Sequence, residues 1–97
     1  MAQVVWTRKS ISNLQAIFNY ISVDSPVFAG RFVRNLISCT DRLEALPESG
    51  RIVPEFENPA IREIIYKNYR IVYRIGSVNL LEIVAVVHAS RDMRWHC

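Results

Sequence analysis

The last third of the chain, Pro59–His88, most constrains the fold, because it is typical of three short β-strands joined by two tight turns. Side chains alternate between the two faces of a strand. For the middle strand this alternation predicts one face made of Tyr69, Ile71, Tyr73 and Ile75, and an opposite face made of Arg70, Val72 and Arg74. Burying an unpaired guanidinium is costly, so we expect the arginine face to be solvated or to meet an anionic partner.

Length and charge indicate one globular domain with a preference for anionic partners. Ninety-seven residues, 51% of them hydrophobic, predict a single domain spanning residues 1–97. The net charge is +3, and ten of the twelve basic residues are arginine. The planar guanidinium suits carboxylates, phosphates and aromatic faces. This balance is compatible with a nucleic-acid surface or an acidic protein partner, and does not decide between them.

Cysteine usage and hydropathy predict a cytoplasmic protein that makes no membrane contact. Cys39 falls on a helical apolar stripe and Cys97 is the last residue, so a disulfide is not expected. No stretch approaches the roughly 20 apolar residues of a membrane span. We expect no cofactor and no metal, although four residues near the C-terminus are of metal-binding types. We interpret this group as incidental; it consists of His88, Asp92, His96 and Cys97.

The first half of the chain predicts a strand followed by two helices. Ala2–Trp6 is β-branched and aromatic, and Thr7 can cap a helix whose apolar residues follow at helical spacing. Ser25 suits an N-cap and Pro26 the first position of a second helix. The second helix carries an apolar seam over about five turns. This seam consists of Ala29, Phe32, Leu36, Cys39, Leu43 and Leu46.

The predicted order is strand, helix, helix, strand, strand, strand, with turns at Lys67-Asn68 and at a two-residue Gly76-Ser77 hairpin. This order predicts an α+β fold of two layers, in which an N-terminal strand and an antiparallel helical hairpin pack on a mainly antiparallel, twisted sheet. The first strand should lie at an edge or beside the last strand. The second helix should cover the tyrosine face of the sheet, leaving Arg70 and Arg74 on the open face.

Several segments, in this order and spacing, resemble the RelE/ParE superfamily of bacterial type II toxins. They are the helical hairpin, Leu46-Pro47-Glu48-Ser49-Gly50-Arg51, Ile61-Arg62-Glu63-Ile64, Asn68-Tyr69-Arg70-Ile71-Val72-Tyr73-Arg74-Ile75 and Val87-His88-Ala89-Ser90-Arg91-Asp92. The resemblance covers nearly the whole chain. It implies a cognate antitoxin that wraps the toxin and whose other end binds operator DNA, so that the toxin meets DNA only indirectly.

The superfamily contains two mechanisms, and the sequence departs from one of them. RelE-like members cut mRNA in the ribosomal A site with basic and aromatic residues. Arg70 and Arg91 match or lie near their phosphate-contacting arginines, and His96 is a candidate general base. The lysine pair that RelE-like enzymes place on the preceding strand is absent here, as is a C-terminal tyrosine; Trp95 and His96 stand near its position.

The resemblance favours the ParE-like branch, whose members inhibit DNA gyrase. The segments Arg62-Glu63-Ile64 and His88–Asp92 are more similar to that branch. The predicted function is therefore a gyrase-targeting toxin, with a ribosome-dependent mRNA endonuclease as the first alternative and an inactive co-repressor as the second. Glu63 is expected to pair with an arginine on a neighbouring strand. The residues expected to bind the target or the antitoxin are Arg62, Arg70, Arg74, Arg91 and Trp95.

Overall fold

The structure, a computed structural model, describes residues 1–91 as two helices on one mixed sheet. The elements are β1 (Gln3–Trp6), α1 (Arg8–Ser22), α2 (Pro26–Ser38), a short 3-10 helix (Asp41–Glu44), β2 (Arg51–Ile52), β3 (Ile61–Tyr66), β4 (Tyr69–Ile75) and β5 (Leu80–His88). The strand order is β1-β5-β4-β3-β2; β1 is parallel to β5 and the other pairs are antiparallel. The predicted α+β architecture is confirmed, including the place of the first strand beside the last, while the two-residue β2 was not predicted.

Both helices begin at the residues that the sequence indicates. The Thr7 hydroxyl oxygen accepts a hydrogen bond from the Ser10 N–H at 3.2 Å, and the Ser25 hydroxyl oxygen accepts one from the Phe28 N–H at 3.1 Å. Each bond satisfies a backbone donor that has no partner within the first helical turn. Pro26 is the first residue of α2, where its missing N–H costs nothing.

Helix α2 is shorter than predicted, because the chain tightens into the 3-10 helix after Ser38. The Thr40 N–H and hydroxyl both donate to the Ile37 carbonyl, at 3.0 and 2.7 Å, and this favours a three-residue hydrogen-bonding step. Leu43 stays fully buried, whereas Leu46 is 60% exposed. The prediction of a five-turn seam reaching Leu46 is therefore wrong. Apolar residues spaced three and four apart are compatible with one long α-helix and equally with an α-helix that continues as a 3-10 helix, so the spacing could not distinguish the two.

The sheet carries a core on each face rather than on one. The helix-facing core includes Leu36, Leu43, Ile71 and Tyr73, as expected for the tyrosine face. The opposite face carries a second, smaller core under the loop that follows β2, formed by Val53, Val72, Ala85 and Val87. The predicted open face is therefore partly covered, and Arg70 lies within the covered part.

The two turns of the C-terminal strands differ from each other. The Lys67-Asn68 turn joins β3 to β4 as predicted, with Lys67 at φ 55°. The link from β4 to β5 has four residues, Gly76–Asn79, so the predicted two-residue hairpin is wrong. Asn79 takes the left-handed conformation at φ 60°, which asparagine tolerates. Neither helix among the described residues is long and apolar enough to cross a membrane.

Candidate functional site

Arg70 is the centre of a buried ionic cluster on the loop-covered face of the sheet. Arg70 is only 4% exposed. Two guanidinium nitrogens pair with the Glu55 carboxylate at 2.7 and 2.8 Å, and Nε pairs with Glu63 Oε1 at 2.5 Å. Nη1 also donates to the Arg91 carbonyl oxygen at 2.6 Å. The prediction that Arg70 lies on an open face is wrong, because the proline-rich loop brings Glu55 over it.

Glu63 pairs with arginines on both neighbouring strands. Its side chain is fully buried between Arg70 of β4, at 2.5 Å, and Arg51 of β2, also at 2.5 Å. The register aligns Glu63 with Val72 and Ile65 with Arg70, which places both members of the Arg70–Glu63 pair on one face. The expectation of a cross-strand arginine partner for Glu63 is confirmed.

The hydrogen bonds that the Arg70 guanidinium donates to the Glu55 carboxylate raise the pKa of Arg70, while burial opposes this shift and Glu63 adds to it. The guanidinium is therefore permanently charged, and two carboxylates already neutralise it. A phosphate arriving at this position would meet the negative charge of Glu55 and Glu63 before it met the guanidinium. In this arrangement, Arg70 holds protein segments together instead of offering a free anion site.

The other arginines predicted from β3 and β4 occupy different environments. Arg74 is half-exposed and forms an ion pair with Glu82 on β5. Arg62 lies on the helix-facing side, where its guanidinium donates to backbone carbonyls of Pro59, Glu48 and Gly50 at 2.9, 3.3 and 3.1 Å. Arg62 thus ties the loops at both ends of β2 together, and its charge stays partly accessible.

The C-terminal candidates are only partly within the described residues. Arg91 is exposed and its N–H donates to the His88 carbonyl at 2.9 Å. Trp95 and His96, together with Asp92 and Cys97 of the cluster considered for metal binding, lie outside the described residues. His88 ends β5 with its Nδ1 2.8 Å from the Ser90 hydroxyl. Within residues 1–91, no group of three or more metal-ligand side chains is close enough to hold an ion.

A groove between the two helices was missed at the sequence level. Its volume is about 270 Å³, and it is lined by Ile11, Leu14, Gln15, Phe18 and Val33. Ile11 is 55% exposed, which is unusual for a residue on the apolar stripe of α1. The signal was present in the sequence: Ile11 and Phe18 extend the stripe of α1 beyond the width that the sheet can cover.

Gly30 lies on α2 three residues before Val33, the residue of that helix that lines the groove. A Cβ added at Gly30 would have no atom within 4 Å, and its φ is not positive. Within residues 1–91, neither backbone geometry nor packing explains a glycine there, although glycine costs a helix about 1 kcal/mol relative to alanine.

The chain is similar to toxins of known families along nearly its whole length. The family described as "ParE toxin of type II toxin-antitoxin system, parDE" matches residues 4–93. The curated protein "Toxin RelE2" of Caulobacter vibrioides (strain ATCC 19089 / CIP 103742 / CB 15) is 37% identical over 92 residues, which are 94% of this chain and 99% of that protein.

A solved structure shares the fold. It is described as "Chromosomal ParDE TA system from P. aeruginosa" and matches with a TM-score of 0.76 at 22% identity, covering 93% of this chain and 98% of that one. These matches agree with the strand order and the helical hairpin described above. The chain therefore belongs to the ParE toxin family of type II toxin–antitoxin systems, within the RelE/ParE superfamily.

Proposed function

We propose that this toxin arrests growth by binding DNA gyrase in the cytoplasm, and not by cutting mRNA. The observation that carries the proposal is the state of Arg70, whose guanidinium is buried and paired with Glu55 and Glu63. In RelE-like enzymes this position holds an arginine that contacts phosphate. Here two carboxylates lie directly beside the guanidinium, and their negative charge disfavours the approach of an RNA backbone.

Protein binding needs less from this surface than phosphodiester cleavage does. Cleavage needs a general base and cations that stabilise a developing negative charge. Binding to a protein needs only complementary shape and charge, and two of the predicted arginines are exposed: Arg74, which pairs with Glu82, and Arg91. We therefore assign target contacts to these two arginines and to Trp95, and a supporting role to Arg62.

The toxin's cognate antitoxin is the second partner, and we assign part of its contact to the groove between α1 and α2. The groove has an apolar floor formed by Leu14, Phe18 and Val33. On α2, Gly30 lies three residues before Val33 and four before Arg34, so it shares a helical face with each of them. Arg34 is exposed and forms no ion pair within residues 1–91.

This composition fits an amphipathic helix of the antitoxin that carries acidic side chains beside its apolar face. The apolar residues would enter the groove as anchors. The acidic residues would meet Arg34, and the antitoxin backbone would approach most closely at Gly30, where no side chain stands in its way. A glycine that the toxin does not need for its own fold is explained by such an approach.

The gyrase assignment is tested by inducing the toxin without antitoxin while following DNA damage and protein synthesis separately. We expect a DNA-damage response while translation continues, and inhibition of supercoiling when purified toxin is added to purified gyrase. Prompt translation arrest, with mRNA cut at ribosome-occupied codons, would instead establish the endonuclease alternative. Unimpaired growth would establish the inactive co-repressor.

A further inference from the structure

We infer that the toxin forms a symmetric homodimer through the exposed face at the start of α2. Val27 and Phe28, in the first turn of this helix, are 74% and 50% exposed, and Val23 at the end of α1 is 84% exposed. Apolar side chains gathered on the surface of a small domain mark a contact with another molecule. None of the three lines the groove assigned above to the antitoxin, so that contact leaves them uncovered.

An acidic residue and a basic residue stand on opposite sides of the pair Val27 and Phe28. Asp24 lies in the turn that leads into α2, three residues before Val27. Arg31 lies three residues after Phe28, on the same face of the helix. Both charged residues are exposed, and neither forms an ion pair within residues 1–91.

This order of acidic, apolar and basic residues is complementary to itself. If two copies of α2 pack antiparallel about a twofold axis at Val27 and Phe28, Asp24 of each copy comes opposite Arg31 of the other. Parallel packing would instead set like charges against each other, which is costly at an interface. A purely acidic partner would be repelled by Asp24 and a purely basic one by Arg31. A second copy of this chain is therefore the partner that satisfies both charges.

The ring of Phe28 is held in position for such a contact. Its centroid lies 6.1 Å from that of Phe32, which in turn packs against Tyr66 at 5.2 Å and Tyr69 at 5.9 Å. A ring already fixed on one side loses little side-chain freedom on association. A contact centred on the first turns of one helix is smaller than the roughly 800 Å² per partner of a standard interface, so the dimer should be weak and dependent on concentration.

Charge reversal tests the pairing. Asp24→Arg would place two cations at each of the two symmetric contacts, and Arg31→Asp would place two carboxylates there. The double variant D24R/R31D restores opposite charges in reversed order, which rescues association only if the two residues meet. Asp41→Arg and Arg42→Asp make the same changes at exposed positions beyond the other end of α2, and they are the matched controls.

Sedimentation velocity of purified toxin without antitoxin, at low ionic strength and over about 1–200 μM, measures the association. We expect wild type, both controls and D24R/R31D to shift from monomer to dimer as the concentration rises. D24R and R31D alone should each need at least about tenfold more protein for the same shift. Thermal unfolding of every variant checks that the fold is retained.

Three results would overturn the homodimer: wild type that stays monomeric over the whole range, single variants that associate like wild type, or a folded double variant that stays monomeric. If a charge variant loses its fold, Val27→Ser decides the matter. It removes apolar contact at the axis without a change of charge, so it must weaken association. Neither gyrase nor antitoxin takes part in these measurements, so their outcome is independent of the proposed function.

Discussion

At the scale of single residues, Tyr73 and Gly50 form a buried contact that fixes the loop before β2. The fully buried Tyr73 hydroxyl donates to the Pro47 carbonyl at 2.7 Å and accepts from the Gly50 N–H at 3.0 Å. A Cβ at Gly50 would lie 2.6 Å from this hydroxyl oxygen and from the Glu63 carbonyl oxygen. The loop can therefore approach the sheet here only with a glycine.

Removing the hydroxyl with Tyr73→Phe should lower the free energy of unfolding by about 1–3 kcal/mol, because the buried Gly50 N–H loses its acceptor. The variant should also change the pH dependence of stability. Burial raises the pKa of Tyr73, although the Gly50 hydrogen bond opposes this shift. The hydroxyl's contribution should be complete below the unfolded pKa of about 10 and decrease as the pH rises above it.

Urea unfolding of both proteins at about pH 8 and about pH 10.5 measures this effect. The difference between wild type and Tyr73→Phe should shrink at the higher pH. A difference that stays constant would mean that Tyr73 ionises as readily in the fold as in the unfolded chain.

The arginines of β4 should differ strongly in their effect on stability. Arg70→Ala removes the Arg70 partner from Glu55 and leaves the fully buried Glu63 with only Arg51 of its two arginine partners, so it should cost about 3–5 kcal/mol. Arg74→Ala removes an exposed pair with Glu82 and should cost at most about 1 kcal/mol. Thermal unfolding of the two variants compares them directly, and similar losses would contradict the assignment of Arg70 to a buried cluster.

At the scale of the elements, helix α2 tests whether its groove is an antitoxin surface. Gly30→Ala should raise the toxin's own stability by about 1 kcal/mol, since alanine is the better helix former and its Cβ meets nothing within 4 Å. Gly30→Leu should also fold, but its side chain would fill the space that the partner backbone needs. We expect it to weaken antitoxin affinity by tenfold or more, which corresponds to a loss of about 1.4 kcal/mol or more in binding free energy.

The control is Asn35→Leu, an exposed position on another side of the same helix. Isothermal titration with the antitoxin compares the variants, and growth after co-expression reports neutralisation. Gly30→Leu should remain toxic in the presence of antitoxin, whereas Asn35→Leu should be neutralised. Equal antitoxin affinity of the two variants would exclude this groove as the contact.

At this scale, the sequence correctly predicted those features that depend on residues close together in the chain. Thr7, Ser25 and Pro26 indicate both helix starts because each acts within one turn of itself. The end of α2 and the length of the β4–β5 turn depend on hydrogen bonds that apolar spacing does not encode. The burial of Arg70 depends on Glu55, fifteen residues away in a loop without regular spacing, so no local pattern could predict that the arginine face would be covered.

At the scale of the whole molecule, the two ends of the fold meet in one ladder. Strand β1 pairs in parallel with β5, so Val4 lies beside Leu81 although most of the sequence separates them. The Gln3 N–H donates to the Asn79 carbonyl at 2.6 Å and the Thr7 N–H to the Ile83 carbonyl at 3.1 Å. By alternation, the N–H of Val5 points into the sheet and that of Val4 points to the open edge.

A pair of proline variants tests this register. Val5→Pro removes a ladder donor and leaves a carbonyl of β5 without its partner, whereas Val4→Pro removes a donor that faces outward. Val5→Pro should therefore be less stable than Val4→Pro by about 1–3 kcal/mol. Side-chain burial alone would give the opposite order, because Val5 is 37% exposed while Val4 packs against the helix-facing core. Chemical denaturation of the two variants therefore separates the two explanations. If Val4→Pro is the less stable variant, side-chain packing and not the parallel ladder is the main interaction that holds the N-terminal strand to the rest of the toxin.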